Sequence, residues 1–232
     1  MTESTALIVG VGDGLSASLA RLLHANGYRL ALAARNSDKL APLAAETDAE
    51  TISCNAAEAD DVERLFASIG DRLDVVVYNP SARVRGPIAD LDPEAVRNAI
   101  EVTAFGAFLV GQAAARRMLA QEPADGVRGA ILFTGASAGV KGFPNSAPFA
   151  MGKFSQRGLA QSMARELHPQ GVHVCWVNID GGIRNPGRTE APDNPDSMLD
   201  PDAIAESYLS VIRQHRSAWT NELSLRPWVE RF

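Results

Sequence analysis

Short apolar segments alternate with longer amphipathic segments along the 232 residues of the chain. The apolar segments have the length of buried strands, and apolar residues recur at helical spacing in the segments between them. Strands are predicted over residues 6–9, 28–34, 50–54, 73–78, 129–134, 172–179 and 222–225. Strands that alternate with helices form βαβ units, which build a parallel sheet with helices on both faces. The alternation therefore predicts an α/β fold.

The composition fits one domain with a sizeable core. Hydrophobic residues make up 46% of the chain, whose 232 residues are within the usual range for one domain. The formal net charge of −6 disfavours a nucleic-acid partner, because phosphate binding requires an excess of Lys and Arg. No run reaches the roughly 18 apolar residues of a membrane span, and residues 1–5 lack a signal-peptide pattern. We therefore expect a single domain over residues 1–232, a cytoplasmic location, and no nucleic-acid or membrane partner.

The two cysteines carry no sign of a metal site or a disulfide. Cys54 and Cys175 lie in apolar segments and lack the spacing of metal ligands. Free cysteines in such segments are usually buried and reduced. The sequence therefore predicts two core thiols and no bound metal.

A glycine cluster follows the first predicted strand and precedes a predicted helix. Gly10, Gly12 and Gly14 let the backbone turn sharply and approach a pyrophosphate. The helix that follows offers free N–H groups and the positive end of its dipole. The spacing departs from the common G-x-G-x-x-G pattern, and Ser16 stands where a related pattern has its third glycine. The turn predicts dinucleotide binding; the alternative is a glycine turn required only for tight packing.

The end of the second predicted strand helps to choose between NAD and NADP. NAD sites usually place an acidic residue there to hold the ribose 2′-hydroxyl. This chain has Arg35 instead, which could pair with the 2′-phosphate of NADP. Asp13 in the glycine turn opposes this interpretation, because its charge would repel that phosphate. NADP is the favoured cofactor; a solvated helix-cap role for Arg35 is the alternative.

Five segments match the order of motifs known from one enzyme family. They are VGVGDGLS (9–16), similar to T-G-x-x-x-G-x-G; YNPS (78–81), placed where the motif N-N-A-G occurs; TGAS (134–137); FAMGK (149–153), on Y-x-x-x-K; and DGGI (180–183), similar to a P-G motif. With these motifs the chain resembles the short-chain dehydrogenase/reductase family over nearly its whole length. The resemblance implies a Rossmann-type, doubly wound parallel sheet of about seven strands in three α/β/α layers. It also implies a nicotinamide cofactor, and dimers or tetramers built through the predicted long helices, residues 93–120 and 149–167.

The glycine turn and the resemblance together give a set of expected cofactor contacts. These residues follow the predicted strands or open the predicted helices, where a dinucleotide binds in such folds. They are Gly10, Gly12, Asp13, Gly14, Leu15, Arg35, Asn55, Asn79, Lys153, Gly181 and Ile183.

The resemblance implies that most of the family's catalytic residues are replaced. The tyrosine position is Phe149, and the serine position, 13 residues earlier, is Ala136. The asparagine position on the preceding long helix is Thr103, so only Lys153 is retained of the four. A general acid contributes a factor of about 10²–10⁴, so the family's standard mechanism should be impaired. Lys153 is expected to hold the nicotinamide ribose; a solvated helix lysine is the alternative.

Two residues are candidates for the missing proton donor. Ser146 lies seven residues before Lys153, a spacing at which the family's enoyl reductases have a tyrosine. Asp180 replaces the proline of the P-G motif, where a partly desolvated carboxyl would be a better acid. The alternative for Asp180 is a turn or capping residue. Ser137 and Asn145 are weaker candidates.

These observations favour an NAD(P)-dependent oxidoreductase that acts on a small organic substrate with a non-standard active site. Substrates that need no tyrosine-type acid, such as iminium ions, suit this site best. The alternative is a catalytically inactive NAD(P)-binding sensor or assembly protein, and a lyase or epimerase is a third, weaker interpretation. Residues 185–200 are rich in Pro, Asp and Asn, and form either a substrate loop or a surface excursion.

Overall fold

A computed structural model describes residues 4–70 and 72–230 of the chain. Both ends of the predicted domain, and residues 1–3 of the segment without a signal-peptide pattern, lie outside the described residues. The strands are β1 (Ser4–Val9), β2 (Tyr28–Ala34), β3 (Glu50–Ser53), β4 (Val75–Tyr78), β5 (Gly129–Thr134), β6 (Val172–Ile179), β7 (Gly182–Ile183), β8 (Met198–Leu199) and β9 (Glu222–Leu225). The α-helices are α1 (Leu15–Ala25), α2 (Ala41–Thr47), α3 (Ala59–Ser68), α4 (Pro93–Ile100), α5 (Gly106–Ala120), α6 (Ala147–Leu167) and α7 (Pro201–Ile212).

Seven strands form one parallel sheet in the order β3-β2-β1-β4-β5-β6-β9. All seven strands predicted from the sequence are present in it. The chain order reverses between β1 and β4, which lie side by side. Ligands of open α/β sheets bind outside the carboxyl ends of the strands at such a reversal. The predicted Rossmann-type fold is therefore confirmed, and its reversal marks the place to search for a site.

The two faces of the sheet bury separate cores. Leu7 and Val9 of β1 belong to a core shared with α3, α5 and α6. Ala6 and Ile8 of the same strand belong to a second core, shared with α1, α2 and α7. Successive side chains of a strand point to opposite faces of its sheet, so a continuous apolar strand serves both layers. This arrangement gives the predicted three α/β/α layers.

The first predicted long helix is interrupted. Residues 93–120 form α4, a π-helical segment over Glu101–Phe105, and α5. Asp92 caps α4 by accepting hydrogen bonds from the backbone N–H groups of Glu94 and Ala95. Within the π-helical segment, the buried Thr103 hydroxyl oxygen accepts a hydrogen bond from the Ala82 N–H at 3.1 Å. This contact joins segments distant in sequence, so the apolar periodicity of the helix could not reveal the interruption.

The segment after β6 is tied down at both of its ends. β7 pairs with β8 in a separate two-stranded sheet, and the backbones of Asn185 and Arg188 exchange two hydrogen bonds of 3.0 and 2.9 Å.

Cys54 and Cys175 are buried and unpaired, and burial raises the pKa of Cys175 to about 12. Among the described residues, no helix combines the length and apolar character that a membrane span requires.

Candidate functional site

Three adjoining cavities lie at the carboxyl edge of the sheet, beside the reversal between β1 and β4. The central cavity, about 330 Å³, is lined by the glycine turn (residues 10–16), by residues that follow β4 and β5, and by Phe149 and Lys153 of α6. The strand-two cavity, about 790 Å³, shares the glycine turn and adds residues that follow β2 and β3. The arginine cavity, about 720 Å³, is lined by Arg83, Arg85, Arg188 and the start of α6.

The glycine turn is held in shape by its neighbours. Gly10 has φ +81°, and a Cβ there would lie 2.7 Å from the ring of Pro80. The hydroxyl of Ser16 donates to the Gly10 carbonyl at 3.3 Å and accepts from Nδ2 of Asn79 at 2.7 Å. Helix α1 begins at Leu15 without a side-chain cap. Its first N–H groups therefore have no side-chain acceptor, as a pyrophosphate site at a helix N-terminus requires.

The structure brings all the predicted cofactor residues together. Each of them lines the central cavity, the strand-two cavity or both. They are Gly10, Gly12, Asp13, Gly14, Leu15, Arg35, Asn55, Asn79, Lys153, Gly181 and Ile183. Residues from five loops, from helices α1 and α6 and from β7 thus meet at one edge of the sheet.

The strand-two cavity carries charges of both signs. Arg35 and Lys39 line it on the side of β2, together with Asp38. Asp13 lines both the strand-two and the central cavity. Asn55 lies after β3, where its side-chain oxygen accepts a hydrogen bond from the Ala57 N–H at 3.3 Å. The cavity therefore offers cations for a phosphate group, with two carboxylates close to them.

Lys153 is buried at the base of the central cavity, with 2% of its surface exposed. Its Nζ donates to the Thr134 carbonyl at 2.5 Å and to Oε1 of Gln156 at 3.3 Å. The buried Gln156 side chain in turn donates to the Thr103 carbonyl at 3.5 Å. Burial first, and then the charge of Arg83, lower the pKa of Lys153 from its ordinary value to about 7. An ammonium group has three N–H donors, so one is left for a ligand in the cavity.

Phe149 and Ala136 form an apolar wall between the central and arginine cavities. They pack in one small cluster with Ala138, and both line the two cavities. The guanidinium of Arg83 lies over the Phe149 ring, 4.2 Å from the ring centroid. Cations are attracted to the faces of aromatic rings, and Arg stacks on them readily. Among the described residues that line these cavities, none is a tyrosine.

The two predicted proton donors lie in different places. Ser146 lines the arginine cavity close to Phe149, together with Ser137 and Asn145. Asp180 instead forms an ion pair with Arg226 at 3.1 Å. Of the described residues around it, Ile179 and Gly181 line the central cavity but Asp180 does not. Arg226, which follows β9, thus holds the Asp180 carboxylate away from the lining of the central cavity, and a proton-donor role for Asp180 stays a prediction.

Sequence reasoning missed four residues around these cavities. Arg83 and Arg188 line the central and arginine cavities, Arg85 lines the arginine cavity, and Gln156 holds Lys153. The alternation Arg83-Val84-Arg85 directly after the fourth strand was a usable signal, because parallel strands present such loops to the site. Gln156 carried no signal of its own, since a polar residue on a helix is most often solvated.

Comparison with known proteins agrees with this geometry. A family model described as short chain dehydrogenase matches residues 4–192. Trans-4-hydroxycyclohexanecarboxylate dehydrogenase of Sinomonas cyclohexanicum is 31% identical over 200 residues, covering 80% of this chain and 74% of the relative. A crystal structure of a short-chain dehydrogenase from Rhodopseudomonas palustris has a TM-score of 0.82 and 34% identity, covering 97% of this chain and 99% of that one. A metagenomic short-chain oxidoreductase in complex with NADP has a TM-score of 0.81 and 26% identity, with coverages of 97% and 98%. The chain therefore belongs to the short-chain dehydrogenase family.

Proposed function

We propose that this chain is an NADP-preferring oxidoreductase that acts on a small organic substrate with a non-standard active site. The observation that carries the proposal is the buried Lys153 ammonium, which lines the central cavity together with the glycine turn and the Phe149–Ala136 wall. Burying an ammonium is costly, and the Thr134 and Gln156 contacts leave one donor unused. A site of this kind is expected to hold a polar ligand.

The residues present fit a nicotinamide dinucleotide. The close approach of Gly10 to Pro80 leaves no room for a side chain, and the uncapped start of α1 suits a pyrophosphate. Lys153 would donate its free N–H to the nicotinamide ribose. When bound, the nicotinamide supplies or accepts a hydride. The related oxidoreductase that was solved with NADP supports this choice of cofactor.

The protein side of the reaction differs from the family's usual chemistry. We propose that Phe149 and Ala136 occupy the positions of the missing tyrosine and serine. Arg83, above the Phe149 ring, would stabilise negative charge on a substrate oxygen, but its guanidinium is too weak an acid to deliver a proton. Ser146 or water in the arginine cavity would handle the proton. Iminium substrates accept a hydride without a proton, so they place the smallest demand on this site.

Turnover with NADPH tests the proposed activity. The chain should bind NADPH and oxidise it with at least one member of a panel of carbonyls and cyclic imines, including 4-oxocyclohexanecarboxylate because of the Sinomonas cyclohexanicum relative. NADPH fluorescence follows binding, and loss of absorbance follows turnover. The inactive sensor would be favoured if NADPH binds but no imine or carbonyl is reduced with NADPH and no alcohol is oxidised with NADP. Failure to bind either nicotinamide cofactor would contradict the whole proposal.

Cofactor preference depends on Arg35. Because Arg35 lies where β2 ends and lines the strand-two cavity, Arg35→Asp should weaken NADPH binding by about 10–100-fold and improve NADH binding. The control is Arg29→Asp, which makes the same change at the amino end of β2, opposite the cavities. Titrations of NADPH and NADH on both variants check this result. An unchanged NADPH-to-NADH ratio in Arg35→Asp would remove Arg35 from cofactor selection.

Self-association through the long helices is part of the proposal. Phe105 and Phe108 stack on each other with ring centroids 6.1 Å apart, and both are exposed. Met151 and Phe154 of α6 are exposed as well. Exposed apolar side chains on two neighbouring helices are typical of protein–protein interfaces. A dimer or tetramer would bury them.

A further inference from the structure

Among the described residues that line the arginine cavity, three are arginines and none is acidic. We propose that this cavity binds an oxoanion, a carboxylate or phosphate group carried by the substrate, through Arg83, Arg188 and Arg85. The proposal rests on the proposed function in one respect, because it assigns the group to the substrate of that same site. It adds the chemical class of that substrate, a small organic acid or a phosphate ester.

The first support is the absence of acidic residues around the cavity. Among the described residues that line it, none is Asp or Glu, whereas Ser137, Asn145 and Ser146 add further hydrogen-bond donors. Within the same described part of the chain, neither Arg83, Arg85 nor Arg188 has a carboxylate within ion-pair distance. Seven other arginines do have such a partner. Eight further described arginines have no such partner either, so the distinguishing feature is that three exposed, unpaired cations share one cavity in a chain with net charge −6.

The second support is that these cations are close enough to repel one another. The pKa of Arg83 is lowered by partial burial and then by the charges of Arg85 and Arg188. The charge of Arg83 also contributes to the lowered pKa of Lys153. Like charges held together raise the energy of the empty site, and an anion between them removes that repulsion. An oxoanion should therefore bind more favourably to these grouped arginines than to isolated ones.

The third support is the way the cations are positioned. The guanidinium carbon of Arg83 lies over the Phe149 ring, 4.2 Å from its centroid, and a guanidinium that stacks on a ring keeps its N–H edges for bidentate bonds to an oxoanion. The backbone of Arg188 is fixed by its two hydrogen bonds with Asn185. The Gly86 N–H, next to Arg85, donates to the Asn145 carbonyl at 3.2 Å. Each arginine thus extends from an anchored backbone segment.

The anion would lie next to the reaction centre. Arg83, Arg188, Phe149 and Ala136 line both the arginine cavity and the central cavity, so the two spaces adjoin. A substrate with its oxoanion among the arginines would therefore place its reacting carbon near the wall that faces the central cavity. The arginines would hold the substrate in a fixed position relative to the central cavity, a role that positioning groups commonly have in catalysis.

Anion binding to the NADPH-saturated protein tests the inference. Saturation with NADPH occupies the pyrophosphate site, so that the added probes report on the arginine cavity. Succinate and inorganic phosphate are titrated by calorimetry against wild type, Arg83→Gln and Arg188→Gln. Arg29→Gln serves as the control, since it removes the same charge at the opposite edge of the sheet. At least one probe should bind wild type and the control equally, and bind each cavity variant about tenfold more weakly.

The relative affinities of the two probes identify the class of anion that the arginine cavity binds. Preference for succinate indicates a carboxylate substrate, and preference for phosphate indicates a phosphate ester. Equal binding of the probes to all variants, or no binding to wild type at millimolar concentrations, would overturn the inference. NADPH binding is measured on every variant as an independent readout. If NADPH itself does not bind, the proposed function fails, and the same titrations on the cofactor-free chain still decide whether the arginine cavity is an anion site.

Discussion

The double variant Phe149→Tyr with Ala136→Ser should raise NADPH-dependent carbonyl reduction by about 10²–10⁴-fold over wild type. The Phe149 ring lies one helical turn before Lys153 and lines both the central and arginine cavities. A hydroxyl on that ring would add a proton donor next to the central cavity, and the adjacent Ala136→Ser would orient the carbonyl oxygen. Arg83 over the ring would lower the pKa of the new hydroxyl, because a nearby cation favours the phenolate. Steady-state oxidation of NADPH with the carbonyl panel measures the effect.

The controls use the same apolar cluster. Each single variant should give much less than the double variant, because residues that act on one oxygen are strongly non-additive. Phe149→Tyr with Ala138→Ser is the matched control, since Ala138 belongs to the cluster but lines only the arginine cavity. Retained NADPH binding with no carbonyl reduction in the intended double variant would mean that the pocket does not admit a carbonyl at this wall.

The fold was predictable because its signals are local. The central strands are apolar runs with glycine or polar residues at their ends, whereas β3 and β9 are more polar, and the parallel order follows from the helices between the runs. The residues predicted to contact the cofactor share one edge of the sheet for a related reason. Gly10, Arg35, Asn55 and Gly181 each lie within two residues of the end of a strand, and parallel strands bring their carboxyl ends to one edge. The position along the chain was therefore sufficient to place them.

The surroundings of the candidate site depend on contacts that no local pattern encodes. Asp180 comes after a strand like the others, but Arg226, which follows β9, forms an ion pair with its carboxylate. Arg83 faces Phe149 although they are far apart in sequence. Gln156 looks like an ordinary polar helix residue, yet it is buried against Lys153. Where a side chain contacts a partner from a distant segment, the sequence shows which residue is present, but only the folded structure shows what that residue contacts.

Lys153→Met should weaken NADPH binding by about 10–100-fold while leaving the chain folded. The variant removes the N–H donor proposed for the ribose, and the Met side chain can fill the same buried volume. It also removes a buried ammonium whose pKa is lowered to about 7, mainly by desolvation. Lys141→Met is the control, because Lys141 is exposed and lies over the Phe143 ring, outside the cofactor cavities. Fluorescence titration and thermal unfolding are measured on both variants.

The pH dependence separates cofactor binding by Lys153 from a purely structural role. Lys153 loses its proton as the pH rises through about 7, so wild-type NADPH affinity should fall above that pH, by at most about tenfold per unit. The unfolded chain keeps this proton up to its ordinary pKa of 10.5, so unfolding takes up a proton between about pH 7 and 10.5. The stability of the cofactor-free chain should therefore rise with pH across the same window in which cofactor affinity falls. Lys153→Met should abolish both trends. If Lys153 had only a structural role, Lys153→Met would change the pH dependence of stability but would keep the pH profile of NADPH affinity that wild type shows.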